Sequence, residues 1–351
     1  LQKGPRMTAR LQALGTAMPE RYVFKQTEIV EAFFARQPGW DPAWAEVFAA
    51  SGVERRASVV DPGWYARPRS TADRMREFVP AARQLGAEAA RRALEQAGPG
   101  AAAEVADLLA VSCTGYSGPG LDVHLADDLG LGDRVQRLAI GHMGCYAALP
   151  ALRTAAALAT ASGRRALVTC VELCTLHTQA PRTREDAVYL ALFGDGAAAA
   201  LVGPGGGGPA IVGSATVTVP RSEERMGWLV EDDGFHMWLS PRVPALVERG
   251  VGRLVEDLLG PHGLATADVA HWAVHPGGPE IVDRVQRRLG LSDAQVARSR
   301  EVLADGGNRS SATVLFILEQ LLAAGEVEPG QWIVALAFGT GLTLEALLLQ
   351  A

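Results

Sequence analysis

Two related halves of alternating strands and helices, layered as α/β/α/β/α, are the architecture that this chain of 351 residues predicts. Three observations predict it. Apolar strands such as ADLLAVS (106–112) and ALVTCVE (166–172) lack regular polar alternation, so both of their faces need cover. Segments with apolar residues every three or four positions separate them and read as helices. The order of segments also recurs. VAHWAVHPGG (269–278) answers ADLLAVSCTG (106–115), and GGNRSSATVLFILEQLLAAG (306–325) answers GHMGCYAALPALRTAAALA (141–159). QWIVALAFGTG (331–341) answers RRALVTCVELC (164–174), and LTLEALLLQ (342–350) answers AAAALVG (197–203). Aligning Val111 with Val274 sets an offset of 163 positions, too long for a solenoid repeat. The halves are expected at 7–203 and 210–351, with PGGGGP (204–209) as the linker.

In chain order, Leu11–Pro19 predicts an opening strand. Thr27 is placed to cap a helix over 27–36, and 42–50 predicts a second. A turn from Ser51 leads to a short strand carrying Arg55 and Arg56, and 61–70, rich in Pro, Gly and aromatic residues, reads as a loop. Ala81–Ala97 predicts a helix ended by Gly98. A tight loop over 115–122 leads to a helix over 123–129. RVQRLAI (134–140) has strand character and ends just before Cys145; the pattern Leu149, Leu152, Ala156, Ala159 then gives a buried helix. Pro150 falls in its first turns and is expected only to bend its start. LFGDG (192–196) is a glycine-bent turn into a strand, and 249–259 is helical.

Composition narrows the function. Nearly half of the residues are hydrophobic and about a fifth charged, as in ordinary globular proteins. The net charge of −6 and the lack of a basic stripe argue against a nucleic-acid partner. No apolar run is long enough to span a membrane, and no signal peptide is expected. The first six residues, LQKGPR, read as an added remnant ahead of Met7. Lysine occurs only at Lys3 and Lys25, so arginine, backbone N–H groups or helix ends must meet any substrate phosphate. The four cysteines, Cys113, Cys145, Cys170 and Cys174, have no metal-site spacing and read as reduced thiols of a cytoplasmic protein with no metal.

Cys145 stands between a strand and a helix, where unpaired N–H groups and the helix dipole favour a thiolate. The alternative is a small buried hydrophobe. The repeat places Asn308 at the equivalent turn of the second half, and His275 at the end of the strand that answers the one ending at Cys113. A PGGP turn after His275 fixes where its ring points, although a lone histidine is also a common structural residue. Asn308 reads equally as a helix cap or as a neutral donor to a developing oxyanion. Cys, His and Asn far apart in sequence but joined by the fold are what a thiol acyl-transfer site needs.

GCYAALPALR around Cys145, LFGDGAAA around Phe193, WAVHPGGPEIVD around His275, GGNRSSATVLFILEQL around Asn308 and FGTGLTLE near the C-terminus occur in order. On these motifs, nearly the whole chain resembles the type III polyketide synthases, the chalcone synthase-like family, whose fold is thiolase-like, five-layered and internally duplicated. The resemblance implies that Cys145 is the nucleophile that takes the acyl chain and that His275 holds it as a thiolate and donates to the thioester oxygen. Asn308 would donate to the same oxygen and assist malonyl-CoA decarboxylation. The enolate so formed would attack the Cys145 thioester in a Claisen condensation, without an acyl carrier protein. Phe193 and Met237 match the two gatekeepers between the CoA tunnel and the cavity, with Met in place of the second Phe. Cys113, Cys174, His177 and Ser310 match cavity positions, and bulky His177 implies few extensions or a redirected chain; wall packing is the alternative for the first three. Gly277 and Gly278 are included in the substrate-binding set.

Departures from the family pattern bear on substrate. Thr340 replaces a proline of the C-terminal loop, and Gly118 replaces a methionine that reaches into the partner subunit, though a homodimer is still expected. The lysines that commonly meet the CoA phosphates are missing, and Arg55 and Arg56 are the candidate replacements. The expected reaction joins an acyl-CoA starter to malonyl-CoA and closes an α-pyrone or a resorcinol-type ring, with no cofactor beyond the CoA thioesters. Two other readings are open: a ketoacyl-synthase III-like acyltransferase that moves an acyl group to an alcohol or amine without condensing, and a non-catalytic scaffold.

Overall fold

The computed structural model describes residues 8–37 and 39–351. LQKGPR and Met7, with which the first half was expected to begin, lie outside the described residues. The chain runs β1 (Ala9–Ala17), β2 (Tyr22–Lys25), α1 (Gln26–Ala32), α2 (Trp44–Ala49), β3 (Arg55–Ser58), α3 (Thr71–Gln96), β4 (Val105–Ser112), α4 (Leu121–Asp128), β5 (Gln136–Gly141) and α5 (Ala148–Ser162). It continues through β6 (Arg165–Leu173), α6 (Arg184–Leu192), β7 (Asp195–Pro204), β8 (Ala210–Thr218), β9 (Met226–Glu231), β10 (Gly234–Leu239) and α7 (Val243–Leu259). The last elements are β11 (Val269–Val274), α8 (Pro279–Leu289), α9 (Asp293–Ala304), α10 (Thr313–Ala323), β12 (Trp332–Gly339) and β13 (Thr343–Gln350).

The repeat in the sequence is a repeat in space. The first half orders its strands β5-β4-β6-β7-β1, and the second orders them β11-β12-β13-β8, with no strand answering β5 among the described residues. β1 and β8 meet at a single register pair, Arg10 with Ala210, which joins both halves into one nine-stranded sheet. The segment 204–209 is a close connection across β1: Leu11 N donates to Pro209 O at 2.9 Å. The helices α5 and α10 form the middle layer. Leu149, Leu152, Leu315 and Leu318 on them share one core with Leu11 and Val168 of the first half and Ile333 and Leu347 of the second. On the outer faces, α3 packs its Phe78, Leu85 and Ala89 against β4, β6 and β7, and α7 packs Val247, Val251 and Leu254 against β11, β12 and β13. Apolar strands between helical layers are buried on both faces, as their composition requires.

Four details depart from the sequence expectations. α3 starts ten residues before Ala81, at Thr71, because Ser70 and Asp73 cap each other: Ser70 Oγ accepts from Asp73 N at 3.1 Å and the Asp73 carboxylate accepts from Ser70 N at 3.1 Å. Pro80 is tolerated inside this helix because it stands on the exposed face. The first helix is capped at Lys25, whose N–H donates to the Glu28 carboxylate, so Thr27 lies within it, and residues 34–36 form a separate tight turn. β5 is an edge strand, and Gln136, Arg137, Leu138 and Ala139 are exposed on it rather than covered. Pro150 occupies the third position of α5, where a backbone N–H has no partner inside a helix, so it costs no helical hydrogen bond.

β1 lies hard against α3 at Gly15. A Cβ there would come within 2.3 Å of Ala89 O and 2.5 Å of Ala93 N. Gly15→Ala is therefore expected to cost about 1–3 kcal/mol of stability by forcing the helix off the sheet, read as a lower urea midpoint.

Candidate active site

Cys145 sits in a turn three residues ahead of α5, on a loop shaped by two close approaches. Gly144 has φ +83°, and its N–H donates to Cys113 Sγ at 3.0 Å. Gly339, at the end of β12, comes so near that a Cβ there would lie 2.7 Å from Tyr146 and 3.1 Å from Cys145 N. Thr340 holds the same loop: its hydroxyl donates to Met143 O at 3.0 Å, a bond that a proline could not make. His142 (φ +59°) and Ser310 (φ +45°), on either side of Cys145, are held in left-handed conformations.

Asn308 reaches the thiol from the second half. Its backbone N–H donates to Leu192 O at 2.7 Å and its carbonyl accepts from Gly194 N at 3.0 Å, a parallel bridge that clamps Asn308 beside Phe193. Asn308 Oδ1 accepts from Ser310 N at 2.8 Å and Thr313 Oγ1 at 3.3 Å. Cys145 Sγ lies 4.0 Å from this oxygen and 3.9 Å from the amide donor Nδ2; with the oxygen already accepting twice, Nδ2 is the uncommitted end. His275 ends β11 as expected, with its N–H on Leu336 O at 2.8 Å. Its imidazole is fully buried and neither ring nitrogen has a hydrogen-bond partner.

Two cavities meet here. The inner one, of about 70 Å³, is lined by Cys145 and by Cys113, Cys174, His177, Met237 and Ser310. The outer one, of about 320 Å³, reaches Asn308, Gly277 and Gly278. Phe193 and Met226 border both, whereas Met237 borders only the inner cavity. Met226 thus joins Phe193 at the junction, and Met237 stands with both in the wall of the inner cavity. His177 is a fixed wall: Nε2 donates to Thr114 O at 2.7 Å, Nδ1 accepts from Phe235 N at 3.2 Å, and the ring stacks on Phe235 at 4.0 Å. Burial lowers its pKa to about 4, so it is neutral in this role.

The arginines expected at the CoA phosphates are elsewhere. The Arg56 guanidinium is buried, donates to the carbonyls of Leu190 and Phe193, and lies over the rings of Phe34 and Phe48. Arg55 pairs with Asp305. Neither lines the inner or the outer cavity. Facing inward, Arg56 fixes the chain around Phe193 instead of meeting solvent or substrate.

Residues that the sequence reading passed over complete the site. Trp228, Phe235 and Tyr189 close the inner cavity, and nothing in their sequence context marks them. Glu172 carries a visible signal, a carboxylate in an otherwise apolar strand. Fully buried, it accepts from Cys113 N at 3.0 Å, from Thr114 Oγ1 at 2.9 Å and from the Ser311 hydroxyl. Burial still raises its pKa to about 7.

Electrostatics differ from the thiolate expected at a helix start. Burial dominates, pushing Cys145 up to about 11; Ser310 and Asn308 pull it down by hydrogen bonding, and the nearby Glu172 charge pushes it up. Burial lowers His275 to about 3. Burial thus favours a neutral thiol at Cys145 and a neutral imidazole at His275. The Asn308 amide N–H beside Cys145 can be offered to an oxyanion that forms there. The side-chain grouping that could hold a cation, Glu231, Asp233 and His236, is on the β9–β10 hairpin, exposed at both acids, and lines neither cavity.

Comparisons with known proteins agree with this geometry. The chalcone and stilbene synthase N-terminal domain matches residues 63–206, and the C-terminal domain of the same family matches 210–351. The chain is 33% identical to the alpha-pyrone synthesis polyketide synthase-like Pks18 of Mycobacterium tuberculosis, over 98% of this chain and 91% of that protein. It is 34% identical to the 3,5-dihydroxyphenylacetyl-CoA synthase of Streptomyces toyocaensis, over 97% of this chain and 90% of that protein. Among solved structures, PKS-I of the brown alga Ectocarpus siliculosus superposes with a TM-score of 0.93 at 30% identity, covering 99% of this chain and 100% of that one. The fungal type III polyketide synthase ORAS gives 0.88 at 28% identity, covering 98% and 99%. The chain belongs to the chalcone and stilbene synthase family, and is a type III polyketide synthase of thiolase-like fold.

Proposed function

We propose that this enzyme loads an acyl group from acyl-CoA onto Cys145, extends it with malonyl-CoA by decarboxylative Claisen condensation, and cyclises the product. The observation that carries the reading is the Asn308 amide 3.9 Å from Cys145 Sγ at the junction of a large outer and a small inner cavity. His275 takes the thiol proton as sulfur attacks the thioester carbonyl and CoA leaves as its thiol. Having passed that proton to the departing CoA sulfur, His275 is neutral again; malonyl-CoA then loses carbon dioxide, and the enolate oxygen is stabilised by the Asn308 amide N–H and the remaining N–H of the His275 imidazole. The enolate carbon attacks the Cys145 thioester, forming a carbon–carbon bond and releasing the free sulfur, to which the chain returns for the next round. An unpaired buried imidazole suits this work because its ring nitrogens are held by no other protein group. No cofactor is required beyond the CoA thioesters.

An inner cavity of about 70 Å³ with Trp228 and Phe235 in its wall favours a compact starter and few extensions. An α-pyrone is the first product class, in keeping with the name of the alpha-pyrone synthesis polyketide synthase-like Pks18, and a resorcinol-type ring the second. The halves 7–203 and 210–351 act as one unit, each supplying part of the site. We place the enzyme in the cytoplasm as a homodimer, without a membrane or nucleic-acid partner. Exposed Leu138 on the edge strand β5, with Val123 and Tyr116 nearby in the chain, supports a second copy as the cover. No helix among the described residues is long and apolar enough to cross a membrane, and the four cysteines are free thiols.

Mass spectrometry of products from malonyl-CoA and a panel of acyl-CoAs tests the reaction. Wild type is expected to give pyrones or phenols and Cys145→Ala none; acylation of Cys145 without consumption of malonyl-CoA would replace this reading with simple acyl transfer. Asn308→Ala is expected to slow carbon dioxide release about 10²–10³-fold. Iodoacetamide labelling of Cys145 is expected to climb steadily from pH 7 to 10, because its ionisation is pushed up to about 11. A plateau at neutral pH would instead reveal a preformed thiolate–imidazolium pair. Trp228→Ala, which enlarges the inner cavity, is expected to shift products toward longer chains; an unchanged product range would remove Trp228 as a determinant of length.

A further inference from the structure

A CoA thioester brings several phosphate charges to the outer cavity, and the groups that meet them must lie at its outer end, away from Asn308. We propose that Arg184, the first residue of α6, is the phosphate anchor for the CoA thioesters, an assignment that rests on the CoA-dependent reaction above. Arg184 is the one basic side chain on the wall of the outer cavity among the described residues. The α2 side of the same cavity offers Val47 and Ala50, and Ser51 follows them, so that side supplies no cation.

Three other arginines are committed, whereas Arg242, between the wall residues Pro241 and Val243, does not itself line the cavity. Arg55 is tied to Asp305 and Arg56 to backbone carbonyls around Phe193. Arg284, one turn along α8 from Glu280, pairs with Glu280 and Glu248 at 2.7 Å each. That pairing also balances Glu280, which lines the cavity and would otherwise repel a phosphate. Arg184 itself is exposed and forms no ion pair among the described residues. A guanidinium presents paired N–H donors that match phosphate oxygens, so a single free arginine gives both charge and orientation. Its neighbour Glu185, on the same wall, sets a repulsion that weakens binding without abolishing it.

The test compares each CoA thioester with the N-acetylcysteamine thioester of the same acyl group, which carries the thioester but no phosphate. Arg184→Ala is expected to raise KM for the CoA thioesters about tenfold, with kcat unchanged and KM for the N-acetylcysteamine esters unchanged. Arg184→Lys restores most of the loss, and rising salt narrows the gap between wild type and Arg184→Ala. An unchanged KM for the CoA thioesters overturns the assignment. So does an equal rise for both kinds of ester, which would mark Arg184 as merely structural. Failure of wild type to use either ester would overturn the reaction itself, and the anchor with it.

Discussion

The site depends on one short piece of backbone pairing. Asn308 N to Leu192 O, and Gly194 N to Asn308 O, join the turn of the second half to the turn after α6 in the first. The bridge places Asn308 and Phe193 side by side. It also leaves no room for side chains: a Cβ on Gly194 would sit 2.2 Å from Gly306 O. Once the two turns are paired, Asn308 can turn its amide toward Cys145 only because Ser310 N and Thr313 Oγ1 fill the other end of that amide. Backbone pairing at this bridge thus adds to the shared core of α5 and α10 in bringing the halves together at the chemistry.

Desolvation sets the character of the site around that bridge. Burial acts on Cys145, His275, Glu172 and His177 alike, and in each it favours the neutral form. A nucleophile kept as a thiol gives up resting reactivity but is shielded from stray electrophiles in bulk water. Charge need appear only when a thioester occupies the pocket, and the same low polarity then strengthens any hydrogen bond to the developing oxyanion.

The fold was legible in the sequence because its signals are repeated. Strands buried on both faces cannot alternate polarity, so ADLLAVS and WIVALAF declare themselves, and a common offset locates Asn308 opposite Cys145 before any coordinates are known. Helix starts were less legible where capping was decisive: Ser70 with Asp73 launches α3 at Thr71, ten residues before the start expected at Ala81. The cavity walls were least legible. Trp228 and Phe235 come from a hairpin outside the repeat, and their place depends on how that hairpin folds over His177. Arg56 shows the same limit for charge, since neighbouring arginines on β3 point to different surroundings.

His177 has a consequence for how a reactive chain would behave once made. Both of its nitrogens are taken, the Thr340 hydroxyl is spent on Met143 O, and the Thr114 hydroxyl on Glu172. Each ketone added to a chain growing inward would trade water for a wall whose His177, Thr340 and Thr114 donors are already engaged, and burying an unpaired carbonyl is costly. Growth of that kind is self-terminating: the incentive to fold back and close a ring rises with every carbonyl, without any ruler to measure length. The enzyme would act as a dry mould that discourages long guests, with ring closure as the chain's own escape from a poor solvent.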